Sequence, residues 1–114
     1  MTSQENSEMG SKRQLLSMYE ISNEIKSLPF KELQLKPLVN TSLLQILCVS
    51  LEQDAIFPEH SSPRDAQLIV LEGEITFYIN EKQFELLKHQ HFNFPKEVVH
   101  WVKANANSKF LIIR

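Results

Sequence analysis

Glycine is almost absent, with only Gly10 and Gly73 in 114 residues. Phosphate-cradling loops and dinucleotide fingerprints need several glycines close together, so both are excluded, as are collagen-like and glycine-rich linker segments. Cysteine occurs once, at Cys48, which rules out an internal disulfide and a cysteine-rich metal cluster. It lies in the apolar run 43–49 and reads as a small buried hydrophobe rather than a nucleophile. Neither sign of charge dominates, with 12 basic and 14 acidic residues and a net charge of −2. No basic stripe is present to neutralise successive phosphates, so nucleic acid is not an expected partner. The longest apolar run is interrupted by Gln45 and Ser50 and is too short to span a bilayer. No secretory pattern opens the sequence, and the expectation is a cytoplasmic protein with no membrane partner.

What is present fits one globular domain. The apolar fraction is 42% and the charged fraction 23%, and a chain this long can bury roughly two-thirds of its unfolded surface. Residues 1–10 are polar and read as a disordered tail. Ser11 and Gln14 have capping-box spacing, and Leu15, Met18, Ile21 and Ile25 recur at helical intervals. This predicts an N-terminal helix over 11–28, ended by Pro29, which lacks the N–H that the next turn needs. From residue 32 the period changes to two. Glu32–Lys36 alternates, with Pro37 expected to close it, and strand-like runs follow at 41–52, 66–72, 74–80, 82–87, 91–94, 98–103 and 110–114. About eight short strands with no helix between them predict an all-β antiparallel sandwich or small barrel over 32–114.

Two ordered motifs sharpen this. Asp54, His60, Ser62, Ala66 and Gly73 fall at the steps of a glycine, His-x-His, glutamate, glycine pattern, ending in the stretch Leu68–Glu74. His89, Pro95, Glu97, His100 and Ala104 fall at the steps of a second pattern, glycine, Pro-x-Gly, histidine, asparagine, with Asn105 one residue late. From Leu33 to Ile113 the chain resembles the cupin superfamily, small antiparallel jelly-roll β-barrels. The resemblance implies that fold, and a cavity in which three histidines and a glutamate hold one divalent ion in the metal-binding members. Mapped onto this chain, His60 and His100 remain, and Ser62 and Ala66 replace the other two ligands. Gln67 and Glu59 should point away by strand parity, and His89 falls at a turn. Glu97, also at a turn, would have to fold inward to help. A tightly held metal is therefore not expected, although weak binding of iron, manganese, nickel or zinc by His60 and His100 is compatible with the residues.

Three functions fit these residues. The leading one is binding of a small organic ligand by His60, Ser62 and His100 without a tightly held metal. The alternative is a metal-dependent dioxygenase or isomerase that uses His60 and His100 as ligands, and the third is an inert, filled barrel. Whether the protein is an enzyme stays open. Parity assigns Ile56, Pro58, His60 and Ser62 to the cavity side, together with Ala66, Leu68 and Val70 and with Val98, His100 and Val102. Tyr78 is a candidate proton donor if it faces that cavity. Trp101 should face outward, which calls for a cover from the N-terminal helix or a second subunit. Dimerisation is common in the resembled superfamily, and a homodimer is the expected assembly. Asp54, His89 and Glu97 stand where the motifs have glycine. Aspartate and histidine tolerate left-handed backbone at modest cost, and glutamate has no such tolerance.

Overall fold

The computed structural model describes residues 18–114. A single helical turn, α1 (Glu24–Ser27), precedes nine strands. These are β1 (Leu33–Asn40), β2 (Gln45–Leu51), β3 (Ile56–His60), β4 (Ala66–Glu72), β5 (Glu74–Ile79), β6 (Lys82–Leu87), β7 (His91–Phe94), β8 (His100–Ala104) and β9 (Ser108–Ile113). They form two antiparallel sheets, one of order β1-β2-β9-β4-β7 and the other of order β3-β8-β5-β6. The fold is a jelly roll, as the resemblance implies, arranged as two facing sheets rather than a closed ring of strands.

The alternation visible in the sequence explains which face each strand buries. Ala66, Leu68 and Val70 on β4, Ile75, Phe77 and Ile79 on β5, Val102 and Ala104 on β8, and Phe110 and Ile112 on β9 all enter one core. Each large apolar side chain fully buried in this way stabilises the fold by about 1.5–3 kcal/mol. Cys48 is completely buried on β2, and burial pushes its thiol above the ordinary range, as an inert packing residue requires.

Three sequence expectations need correction. Among the described residues, the helix predicted over 11–28 appears at Glu24–Ser27, with residues 18–23 irregular, while residues 11–17 and the expected tail lie outside the described residues. Met18 and Ile21 are exposed, so their helical spacing has no apolar surface to rest on. The segment is instead tied down by polar groups. Lys109, only 5% exposed, donates from Nζ to the carbonyl of Ile25 at 2.7 Å and lies over the Phe30 ring, while Ser50 Oγ donates to the Pro29 carbonyl. Secondly, Pro37 does not end β1. The strand continues through a register shift between Pro37 and Val39, and β1 lies at the sheet edge, where a missing N–H is tolerated. Thirdly, Ile56–His60 is a strand of its own, hidden in the sequence by Pro58 and by its weak alternation.

All three substituted glycine positions keep the backbone of a glycine. Asp54 has φ 72°, His89 φ 72° and Glu97 φ 62°. Long-range backbone bonds hold them there: Asp54 N donates to Ala104 O, His89 N to Val70 O, and Glu97 N to Ser62 O at 2.7 Å. The last bond joins the turn before β8 to the loop after β3, next to the strand ends that carry His100 and His60.

Candidate functional site

His60 and His100 meet directly. They are register partners across β3 and β8, and their Nε2 atoms lie 3.0 Å apart. That alignment depends on a bulge. Phe57 faces Val102 and His60 faces His100, so β3 carries one residue more than β8 between these pairs. The bulge reverses the parity expected for β3. Phe57, rather than Ile56 and Pro58, turns toward the cavity and stacks on the His60 ring with centroids 4.1 Å apart. His100 is boxed by Phe77 and Phe94, at centroid distances of 5.1 and 4.7 Å.

Both rings are anchored through their other nitrogen. His60 Nδ1 lies 2.7 Å from the Pro58 carbonyl, and His100 Nδ1 lies 2.9 Å from the Val98 carbonyl. A carbonyl only accepts, so each Nδ1 carries the proton and each neutral ring leaves a lone pair on Nε2. The two lone pairs then converge, and the contact becomes a hydrogen bond only when one ring takes an extra proton. Burial opposes that at His100, pushing it below the ordinary histidine range against the pull of the Val98 carbonyl, and charge on His60 and Arg114 lowers it further. The pair therefore brings two acceptor nitrogens together.

These nitrogens border a cavity of about 250 Å³, also lined by Ser61, Ser62, Leu35, Leu47, Phe57, Phe77, Phe94, Val102, Phe110, Ile112 and Arg114. The interior is thus not packed solid. Ser62 reaches the cavity wall, but its hydroxyl is fully engaged. It donates to the Arg64 carbonyl at 2.6 Å and accepts from the Arg64 amide and from Arg114 Nη1. Ser62 therefore positions Arg114 and has no proton left for a ligand. Ala66 is buried in the core and offers no donor atom. Tyr78 does not face the cavity: it stacks flat on Trp101, its register partner on β8, with centroids 3.7 Å apart on the outer face of the sheet. Trp101 does point outward as expected, and Tyr78 supplies at least part of its cover. Gln67 points away as expected, contacting His91, and Glu97 is exposed. Sequence reasoning missed Arg114, although the alternation from Phe110 through Ile112 places it on the inner face.

The fit of a metal follows from these donors. A separation of 3.0 Å is close to that of two imidazole nitrogens each about 2.1 Å from one ion, so the histidine pair alone is compatible with one. The remainder of the site is not. Among the described residues no cluster of three or more histidine, cysteine, aspartate or glutamate side chains is arranged to hold an ion. The third ligand position is a spent hydroxyl, the fourth is alanine, and the nearest charge is a guanidinium. This donor set lacks the anionic and imidazole ligands of a tight divalent site.

The strand order and the paired histidines at the two motif positions define a cupin fold, and comparison with solved structures agrees. A conserved protein of unknown function from Streptococcus pyogenes superposes with a TM-score of 0.72 at 21% identity, covering 82% of this chain and 84% of the other. An RmlC-like cupin from Desulfovibrio desulfuricans gives 0.74 at 18% identity, covering 83% and 94%. A cupin superfamily protein from Desulfitobacterium hafniense gives 0.70 at 18% identity, covering 87% and 84%. No protein-family profile matches the sequence, and neither does any curated protein. Among the described residues no helix is long and apolar enough to cross a membrane.

Proposed function

We propose that this cupin-fold protein binds a small organic ligand in the cavity beside His60 and His100, without a tightly held metal. The observation that carries the reading is the meeting of two acceptor nitrogens, 3.0 Å apart, from histidines that line a cavity with mainly apolar walls. A few placed polar atoms in an apolar pocket are the usual make-up of a small-molecule site. A ligand hydroxyl or N–H would donate to the histidine pair, and Phe57, Phe77, Phe94 and Val102 would bury its carbon skeleton. We further read the protein as a homodimer in the cytoplasm, with exposed Val99 beside the outward Tyr78–Trp101 stack as apolar surface for the second subunit.

The test joins metal analysis to a binding screen. Protein purified without chelator is assayed for metal, and a fragment library is screened by ligand-observed NMR. Both measurements are repeated on His60→Ala and His100→Ala. Substoichiometric metal, with fragment binding lost in both variants, is the expected result. Near-stoichiometric iron, manganese, nickel or zinc in the wild type, lost in both variants, would overturn the reading in favour of a metal-dependent cupin enzyme.

A further inference from the structure

We propose that Arg114 makes this cavity a site for a small organic anion, with the guanidinium receiving a ligand carboxylate while the apolar walls hold its carbon skeleton. This rests on the cavity being a ligand site, and it adds the ligand's chemical class and a binding residue.

Arg114 follows β9 and is half-buried at the cavity wall. Its guanidinium is fixed from two sides, with Nε donating to Gln45 Oε1 at 3.0 Å and Nη1 to Ser62 Oγ at 3.3 Å. Its backbone is pinned as well, since its N–H and C=O exchange bonds with Gln45. These contacts use two of the five guanidinium protons, and among the described residues no side chain takes the others. No carboxylate pairs with Arg114 either, since the ion pair found among the described residues is Lys36–Glu24, a surface contact.

No acidic side chain faces the guanidinium from the residues that line the site: none lines the cavity, and none lines the shallower groove beside Pro37, Val39 and Asn40 that Arg114 also borders. This runs against the composition of a chain with a net charge of −2. A half-buried guanidinium held by neutral acceptors attracts an anion more strongly than one in bulk water, because the effective dielectric beside apolar walls is lower. Its planar fork matches a carboxylate, and hydrogen bonds between charged partners are about twice as strong as neutral ones. The other titratable groups at the cavity are His60 from β3 and His100 from β8, and neither is an acid. His100 is held below the ordinary histidine range mainly by burial, and the positive charge on Arg114 adds to that lowering.

The test compares acids with their neutral amides. Butyrate, hexanoate and benzoate are titrated against butyramide, hexanamide and benzamide at pH 7.5, following amide shifts of cavity residues by NMR. In the wild type each carboxylate should bind about ten-fold or more tighter than its amide. In Arg114→Gln that preference should fall to within about two-fold, and Arg114→Lys should retain an intermediate part of it. Amides binding as well as acids in the wild type would overturn the proposal, whatever the folding of the variants. So would an unchanged preference in a folded Arg114→Gln. If acids and amides bind equally and both are lost in His60→Ala, the ligand-site reading stands and the anion proposal falls. If no probe binds, both fall.

Discussion

Substituting Gly73 tests whether one glycine carries the turn geometry of this jelly roll. Gly73 joins β4 to β5 with φ 82°, in the left-handed region. An alanine Cβ there would sit against the carbonyl oxygen of Asn107 and the Oγ of Ser108, and 2.8 Å from Ser108 Cα. Two of these three atoms are backbone, and the third is engaged, since Ser108 Oγ accepts from the Glu74 amide. Left-handed backbone costs an alanine about 1–2 kcal/mol, and forcing an extra carbon into packed backbone adds about 1–3 kcal/mol. Gly73→Ala should therefore destabilise the domain by about 2–5 kcal/mol, a large share of the ~5–15 kcal/mol typical of a domain. Melting should fall by roughly 10–25 °C, read by circular dichroism and urea titration. Glu97→Gly is the control. It relieves a left-handed strain of similar size and costs about 0.5–1 kcal/mol in unfolded-chain entropy, so it should be neutral or slightly stabilising. If Gly73→Ala comes within about 1 kcal/mol of the wild type, the turn geometry is wrong.

Two further outcomes follow from buried charge. Because the folded state holds His100 below its ordinary value of 6.5, the unfolded chain takes up that proton first as pH falls. The stability involved is fully present above pH 6.5 and is lost as pH drops through the folded value. Urea midpoints at pH 7.5 and 5.5 should therefore differ less in His100→Gln than in the wild type, and equal differences would refute the assignment. Lys109→Met removes the ammonium that holds the Ile25 and Lys26 carbonyls. Hydrogen bonds to charged groups contribute about 1.5–3 kcal/mol, so amide exchange over residues 24–30 should accelerate about ten-fold or more while the strands keep their protection. Unchanged exchange in that segment would show that Lys109 does not tether it.

Period-two alternation, interrupted by turn residues and free of helical stretches, was enough to determine an antiparallel all-β domain from the sequence. It also fixed the inner faces of β4 and β8, because side chains on a paired strand must alternate. The resemblance to the two cupin motifs implied that His60 and His100 share one cavity, and that Ser62 and Ala66 stand where two metal donors would be. Asp54 and His89 keep the left-handed turns of the motif glycines, as expected, and the structure shows that Glu97, expected not to tolerate one, is held in it as well by long-range backbone bonds.

Tertiary structure decided what local pattern does not encode. A one-residue bulge in β3 aligned His60 with His100 and turned Phe57 inward, and no single-strand periodicity reveals an inserted residue that only its partner strand exposes. The stripe at Leu15–Ile25 suggested a long helix, but spacing alone supplies no surface for Met18 and Ile21 to bury against. The role of Ser62 depended on which atoms meet its hydroxyl, and those belong to Arg64 and Arg114, the latter 52 residues away in sequence. Sequence thus determined the fold class from residue spacing and, through the motif resemblance, singled out the two histidines, while the bulge in β3 decided how they meet. The charge of the cavity came from the far end of the domain, where only the closing of β9 against β2 and β4 brings Arg114 to the site.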